Sequence, residues 1–402
     1  MNNTFIPVIV GTDINAYYMS ACFHDEYGIK PYLIGKMQMG FTHYSSIIEK
    51  VELSDQLDDP AHFVELLTAY AEKINKKDKQ LILVGTNDHY VRLIVENKEA
   101  LSNTFVFNYL EEDLLNKLQD KKEFYKLAEQ KGLTIPETNF HKVGDPFDLS
   151  ISRYPVIIKP ANGIEYYRHK FIGQEKVYRV NSYEEIKSVI EKIENSGYRD
   201  SLIIQDYIPG DDTLIWDSVL YVNSEGKAEL VTFGQVALQE HEATAIGNYT
   251  AVISRYNKEV MEQLKDFLED IGYRGFANVD LKYDERDNQL KVFEVNVRQG
   301  RSSYYATQMG YNLAKFLVDD IILGRRKELV YAYEKVLFTI VPKYILKKYI
   351  TNKEINNEVE MLITNKKMMN PLFYKKDKSI LRKLYLLVRQ IRYNKKYKNA
   401  KW

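Results

Sequence analysis

Residues Phe276 to Arg298 read FANVDLKYDERDNQLKVFEVNVR, two apolar runs joined by a charged, turn-rich middle. Side chains two apart on a strand share a face, so Glu294 and Asn296 point together, flanked by Val292, Phe293, Val295 and Val297. Asp280 follows Ala277 and Val279 on the first run, and a hairpin through Asp284 to Asn288 would set it opposite that pair. Two carboxylates and an amide, with no His or Cys among them, are hard oxygen ligands that suit Mg2+ carrying phosphates. The structural alternative is a salt-bridge cluster, and the shared strand face favours the metal.

Upstream, two more patches stand in order: Tyr154 to Pro160 (YPVIIKP) and Ile203 to Gly210 (IIQDYIPG). Each has a plain reading, since a lysine ending an apolar strand is more often a solvated terminus. The strands expected around them, Val156–Lys159, Val177–Val180, Leu202–Asp206 and Trp216–Val222, are rich in β-branched and aromatic residues and separated by turns, which predicts a mostly antiparallel sheet. Before them, Glu111 to Gly132 has Leu114, Leu115, Leu118, Phe124, Leu127 and Ala128 at helical spacing, which predicts one continuous helix. The chain opens strand, helix, strand: Val8–Val10 ends on Gly11, Pro31–Ile34 follows, and Leu81–Val84 closes on Gly85, Thr86, Asn87 and Asp88. Such an order implies a parallel sheet whose ligands lie beyond the carboxyl ends of its strands. The lone Gly11 is weak evidence for a nucleotide, because the glycine-rich dinucleotide fingerprint is absent.

The order and spacing of the three patches resemble the ATP-grasp superfamily of carboxylate–amine ligases over roughly Pro7 to Gly324. The resemblance implies an α/β (α+β) fold: a Rossmann-like amino-terminal domain at 1–110, a central helix and lid at 111–210, a catalytic antiparallel subdomain at 211–330 and a helical extension at 331–402. It implies ATP and Mg2+ as cofactors, with Lys121 (Lys122 beside it) and Lys159 on the phosphates. Gln205, Asp206, Tyr207 and Ile208 match the adenine hinge, and Asp212 or Asp211 the ribose acid. Asp280, Glu294 and Asn296 match the metal set, and Arg298 and Arg301 the groups that stabilise the transferred phosphoryl or acyl phosphate. The implied chemistry activates a carboxylate as an acyl phosphate that an amine displaces. Ala161 to Gly173 (ANGIEYYRHKFIG) departs from the family's glycine-rich phosphate flap.

Within the superfamily the whole-chain layout is similar to the D-aspartate ligases of peptidoglycan cross-bridge synthesis. The implied partners are a small carboxylate donor, an amine acceptor and a cell-wall precursor. A ligase for free amino acids or small peptides is a second reading, and a non-catalytic ATP-binding scaffold at the membrane is a third.

Composition narrows the field: 402 residues, 45% hydrophobic and 28% charged, describe an ordinary globular chain. Lys+Arg and Asp+Glu both total 56, which argues against a surface built for nucleic acid. No apolar run is long enough to span a bilayer and Met1 to Asp13 lacks a leader pattern, so the expectation is a cytoplasmic protein. One cysteine, Cys22, allows no internal disulfide and reads as a packed core thiol. Gln239 to Ala243 (QEHEA) holds His241 but lacks H-E-x-x-H, so zinc is not expected; His241 fits a polar loop by the acceptor amine or a solvated turn. Asp88 fits either a helix cap or a place by the carboxylate substrate. Leu372 to Trp402 carries eleven basic residues and one acid, Asp377, with Leu381, Leu384, Leu387, Val388 and Ile391 at helical spacing. This amphipathic cationic tail fits an anionic membrane surface or an anionic substrate carrier, with peripheral placement at the inner face, or else a helix docked on the protein's own body.

Overall fold

A computed structural model describes residues 4–74, 78–242 and 245–399, and for Gly163 and Ile164 the backbone alone. Met1–Asn3, Ala243, Lys401 and Trp402, all drawn on above, lie outside the described residues. The chain forms two compact units, the first of residues 1–116, 211–280 and 295–402, the second of residues 117–210 and 281–294.

The first unit begins with five parallel strands, β1 (Phe5–Val10), β2 (Tyr32–Gly35), β3 (Lys50–Leu53), β4 (Gln80–Gly85) and β5 (Phe105–Val106), in the order β3-β2-β1-β4-β5. Every residue of β1 is buried, as a parallel strand covered on both faces requires. Its neighbour in sequence is the helix Ile14–Tyr27, capped by the Asp13 side chain on the Ala16 amide and ended by Gly28 in the left-handed conformation. Cys22 is buried in that helix. The register pairs Val10 with Gly85, so the loops Gly11–Asp13 and Thr86–Asp88 leave the sheet side by side at its carboxyl edge. Gly11 has φ +129°, and a Cβ there would lie 2.0 Å from the Thr86 hydroxyl.

The second unit holds an antiparallel sheet of β6 (Thr138–Lys142), β7 (Val156–Pro160), β8 (Tyr178–Val180) and β9 (Ser201–Asp206), ordered β6-β9-β7-β8. Ile186, Val189, Ile190 and Ile193 of the helix Tyr183–Asn195 pack on it. The continuous helix expected from Glu111 to Gly132 is two helices, Glu112–Gln119 and Lys121–Gln130. Asp120 breaks it, because its carboxylate accepts from the Glu123 amide and caps the second helix. The glycine-poor stretch after β7 folds as a short helix, Gly163–Arg168, in which Arg168 and His169 both pair with Glu165 and Tyr166 is core.

The remaining strands are β10 (Ile215–Val222), β11 (Ala228–Val231), β12 (Phe233–Gln239), β13 (Tyr249–Arg255), β14 (Gly275–Asp284), β15 (Gln289–Asn296), β16 (Val330–Tyr331), β17 (Leu337–Thr339) and β18 (Met368–Met369). They form one mostly antiparallel sheet, β15-β14-β10-β12-β13-β17-β18, with β11 on β10 and β16 on β11. The expected hairpin is β14–β15, and Asn288 takes the positive φ its turn needs. The boundary between units falls within both strands, after Asp280 and before Val295.

The tail is a helix, Ile380–Asn399, that docks on the first unit through Arg382, Leu386, Tyr393 and Tyr397. Asp377, the stretch's one acid, is buried and accepts from the Tyr17 and Ser45 hydroxyls, from the Ser46 amide and hydroxyl and from the Ser379 amide. Arg382 donates to the Phe41 and Leu372 carbonyls and lies 3.6 Å above the Tyr17 ring.

Candidate active site

In the second unit, Lys159 sits near the end of β7 and its Nζ donates to the Gln205 Oε1 at 3.2 Å. Burial first and the Lys121 charge second push this amine down to about 7, with Glu294 opposing the shift. Lys121 is the first residue of its helix, with Lys122 next. Lys121 and Lys122 thus add two side-chain cations to the positive end of that helix, an arrangement that an anion nearby would relieve.

Gln205 is fully buried and its Nε2 donates to the Thr138 hydroxyl at 2.8 Å. Asp206 takes a two-pronged bond from Arg286, whose guanidinium also holds Asp284. The Asp206 and Tyr207 amides are spent on the Glu137 and Pro155 carbonyls, whereas the Ile208 amide has no bond among the described residues. Arg179 covers the Tyr207 ring at 4.4 Å. Arg286 was not singled out in the sequence, yet its place just after the β14 turn residues Asp284 and Glu285 is a readable signal for a clamp on that turn.

In the first unit, Asp280 and Asn296 meet: Asn296 Nδ2 donates to Asp280 Oδ2 at 2.9 Å, and the Tyr249 hydroxyl donates to Asp280 Oδ1 at 2.8 Å. Asn278, two before Asp280 on the same face, reaches Asp280 as well. Strand alternation could have named it. Glu294 lies two residues before Asn296 on β15 but belongs to the second unit. Among the described residues no group of three or more His, Cys, Asp or Glu is placed to hold a metal. The hard oxygens of Asp280 and Asn296 do suit Mg2+.

Past β15 the chain crosses the carboxyl edge of the parallel sheet. Arg298 Nε donates to Asp88 at 2.9 Å and its Nη2 to Asn296 Oδ1 at 3.2 Å. Asn87, not Asp88, caps the helix Asp88–Glu96, since its side chain accepts from the Tyr90 amide. That frees Asp88 at the helix start to hold Arg298. Asn15 Nδ2 donates to the Thr86 carbonyl at 2.9 Å, tying the first strand–helix turn to the second. Arg301 is half-buried, makes no hydrogen bond among the described residues and lowers the pKa of nearby Asp13, which burial raises. Beneath this loop Ser302 donates to the fully buried Asp217 at 2.6 Å, and burial lifts that carboxyl to about 6. A Cβ at Gly300 would stand 1.7 Å from Asn278 Oδ1, so any larger residue here would displace the Asn278 side chain.

Asp212 is held elsewhere in the first unit: it accepts from the Gln239 amide and side chain and pairs with His241 at 3.2 Å. The His241 ring also packs on Tyr397 of the tail helix. His241, in the polar loop between β12 and β13, is therefore a structural link and not a solvated turn. Asp211 caps the short helix Asp212–Leu214.

No protein-family model matches the chain. Among solved structures it is similar to the L-amino acid ligase of Bacillus licheniformis, 16% identical over 80% of this chain and 75% of that one with a TM-score of 0.56. It is likewise similar to N5-carboxyaminoimidazole synthetase of Staphylococcus aureus complexed with ADP, 14% identical over 84% and 82% with a TM-score of 0.57. Both have the ATP-grasp fold, and so does this chain. Together with the full-length sequence relationship that follows, this fold makes the chain an ATP-dependent carboxylate–amine ligase. In sequence the chain is 34% identical to the D-aspartate ligase of Enterococcus faecium over all of its own length and 98% of that protein's, and it belongs to the D-aspartate ligase family of ATP-grasp ligases.

Proposed function

We propose that this ligase joins a carboxylate of D-aspartate to an amine of a peptidoglycan precursor. The observation that carries the reading is the full-length relationship to a D-aspartate ligase, which extends through the tail as well as the catalytic region. Free amino acids or small peptides are the alternative acceptors.

In this reading the substrate carboxylate attacks the γ-phosphorus of ATP, the bond to the ADP oxygen breaks, and an acyl phosphate forms. The acceptor amine then adds to the acyl carbon, phosphate leaves with the bonding pair, and the nitrogen loses a proton. Positioning and charge neutralisation carry such transfers more than covalent help does. Lys121 and Lys159 hold the phosphates, and the Gln205–Ile208 hinge reads the adenine, with the Ile208 amide the group left to do so. Asp280, Glu294 and Asn296 would hold Mg2+, which supplies further charge neutralisation on the phosphates. The ribose role given to Asp212 requires it to share an oxygen already bonded to Gln239 or His241. Arg298, fixed by Asp88 and Asn296, and Arg301, beside Asp13 and without a hydrogen bond among the described residues, meet the donor carboxylate and its phosphate. We place the 1–110, 111–210, 211–330 and 331–402 segments as the donor domain, lid, catalytic subdomain and extension of this machine. It works in the cytoplasm, with the tail at the inner face of the membrane, and nucleic acid has no part in it.

Release of ADP from ATP is the test, run over a panel of carboxylates and amines. D-aspartate with a muramyl pentapeptide nucleotide should stimulate release most. Stronger stimulation by a pair of free amino acids would replace the cell-wall reading with the alternative.

A further inference from the structure

The docked face of the tail helix is Arg382, Leu386, Tyr393 and Tyr397, at steps of four, seven and four residues. At about 100° per residue these share one side of the helix. Ile380, Leu384, Leu387 and Ile391, with Leu381 and Val388 beside them, centre about 180° away. All six are exposed, Ile380 by 73% and Ile391 by 71%. Three turns of bare aliphatic side chains form a contiguous apolar face of the kind that marks an interaction surface.

Charge identifies its chemistry. Lys383 and Arg392 flank the stripe on its two sides, and Lys395 and Lys398 continue past its end; from Ile380 to Asn399 there are seven basic residues and no acid. Two copies meeting through this face would bring like charges together, and an aliphatic stripe has nothing to offer a phosphodiester backbone. Beside the stripe, Tyr385, Val388, Arg389, Arg392, Tyr393 and Lys396 line a cavity of about 260 Å³. Within it the Arg389 Nε is buried without a hydrogen-bond partner among the described residues, while its guanidinium rests over the Phe41 ring at 4.4 Å. Lys396 is paired with Glu240 and Glu242. The short helix Lys343–Tyr349, with Lys347 and Lys348 in its last turn, abuts the tail through the Tyr344 hydroxyl on the Gln390 carbonyl.

We infer that the exposed face of Ile380–Asn399 is a docking surface for an anionic phospholipid bilayer, the six aliphatic side chains entering the interface and the Arg389–Arg392 cavity receiving a headgroup phosphate. The helix lies along the surface, since no helix among the described residues is long and apolar enough to cross a membrane. It stays folded against the body through Asp377 and Arg382, so docking requires no rearrangement of the tail. This gives the proposed membrane placement a defined surface and stands apart from the ligase reading, because a chain inactive as a ligase would still bind.

The test is co-sedimentation of the full chain with phosphatidylglycerol–phosphatidylcholine vesicles and with phosphatidylcholine vesicles. The chain should partition onto the first and not the second, less so as salt rises. The L384S/L387S/I391S variant, changed only at exposed positions, should lose roughly tenfold or more in partition with an unchanged circular-dichroism melt. R392Q should weaken binding to the anionic vesicles alone. Absence of wild-type binding, or equal binding by the triple variant, would overturn the inference. So would a wild-type dimer by sedimentation velocity that the triple variant abolishes, which would make a second copy the occupant.

Discussion

A lysine amine that burial holds near 7 is half charged at neutral pH, and Lys159 is such a group. Its charge is what a triphosphate would select, so ATP binding should draw a proton onto it. The sign follows: below about 7 the ammonium is already present in the free protein, and above it ATP must restore the proton. The dissociation constant for ATP should rise with pH above that point, by up to about tenfold per unit for a single linked proton. K159M should bind more weakly and lose this slope when both are titrated by calorimetry. A slope unchanged in K159M would assign the linked proton to another group. At the same scale Asp280 and Asn296 were legible from the alternation of β14 and β15, whereas Asp217 and Ser302 were not, because they are partners 85 residues apart.

At the level of elements, local signals and long-range packing part company. The hairpin followed from period-two patterning and its turn residues, and the parallel opening from apolar strands alternating with a helix, signals local to short stretches. The break at Asp120 was visible only as a competition, since the same residue that fits a helix interior caps a new helix when its carboxylate finds the Glu123 amide. Of the two alternatives posed for the tail, docking on the body is the one seen, and it uses one face of the helix and leaves the opposite one bare. Its anchor is the buried Asp377–Arg382 pair, closing at 3.4 Å. Removing one member of a buried pair strands the other, at about 3–5 kcal/mol. D377A should lower the melting temperature by many degrees, whereas K378A, one residue on and exposed, should leave it within about a degree. Equal melts for the two would show that the tail is not held through Asp377.

At the scale of the molecule, the layout of three short patches in order pointed to the class, and the full-length likeness to a D-aspartate ligase supports it. What patches could not show was the first unit's carboxyl edge, where Arg298, Arg301, Asp88 and Asn15 come from three separated stretches. That edge is the proposed place of the donor carboxylate, and the proposed reaction phosphorylates it. The direct measurement is turnover with D-aspartate labelled with oxygen-18 in its carboxylates, followed by mass analysis of the phosphate released. An acyl phosphate intermediate predicts ADP and one labelled oxygen in each phosphate. Unlabelled phosphate, or AMP with pyrophosphate in place of ADP, would contradict it.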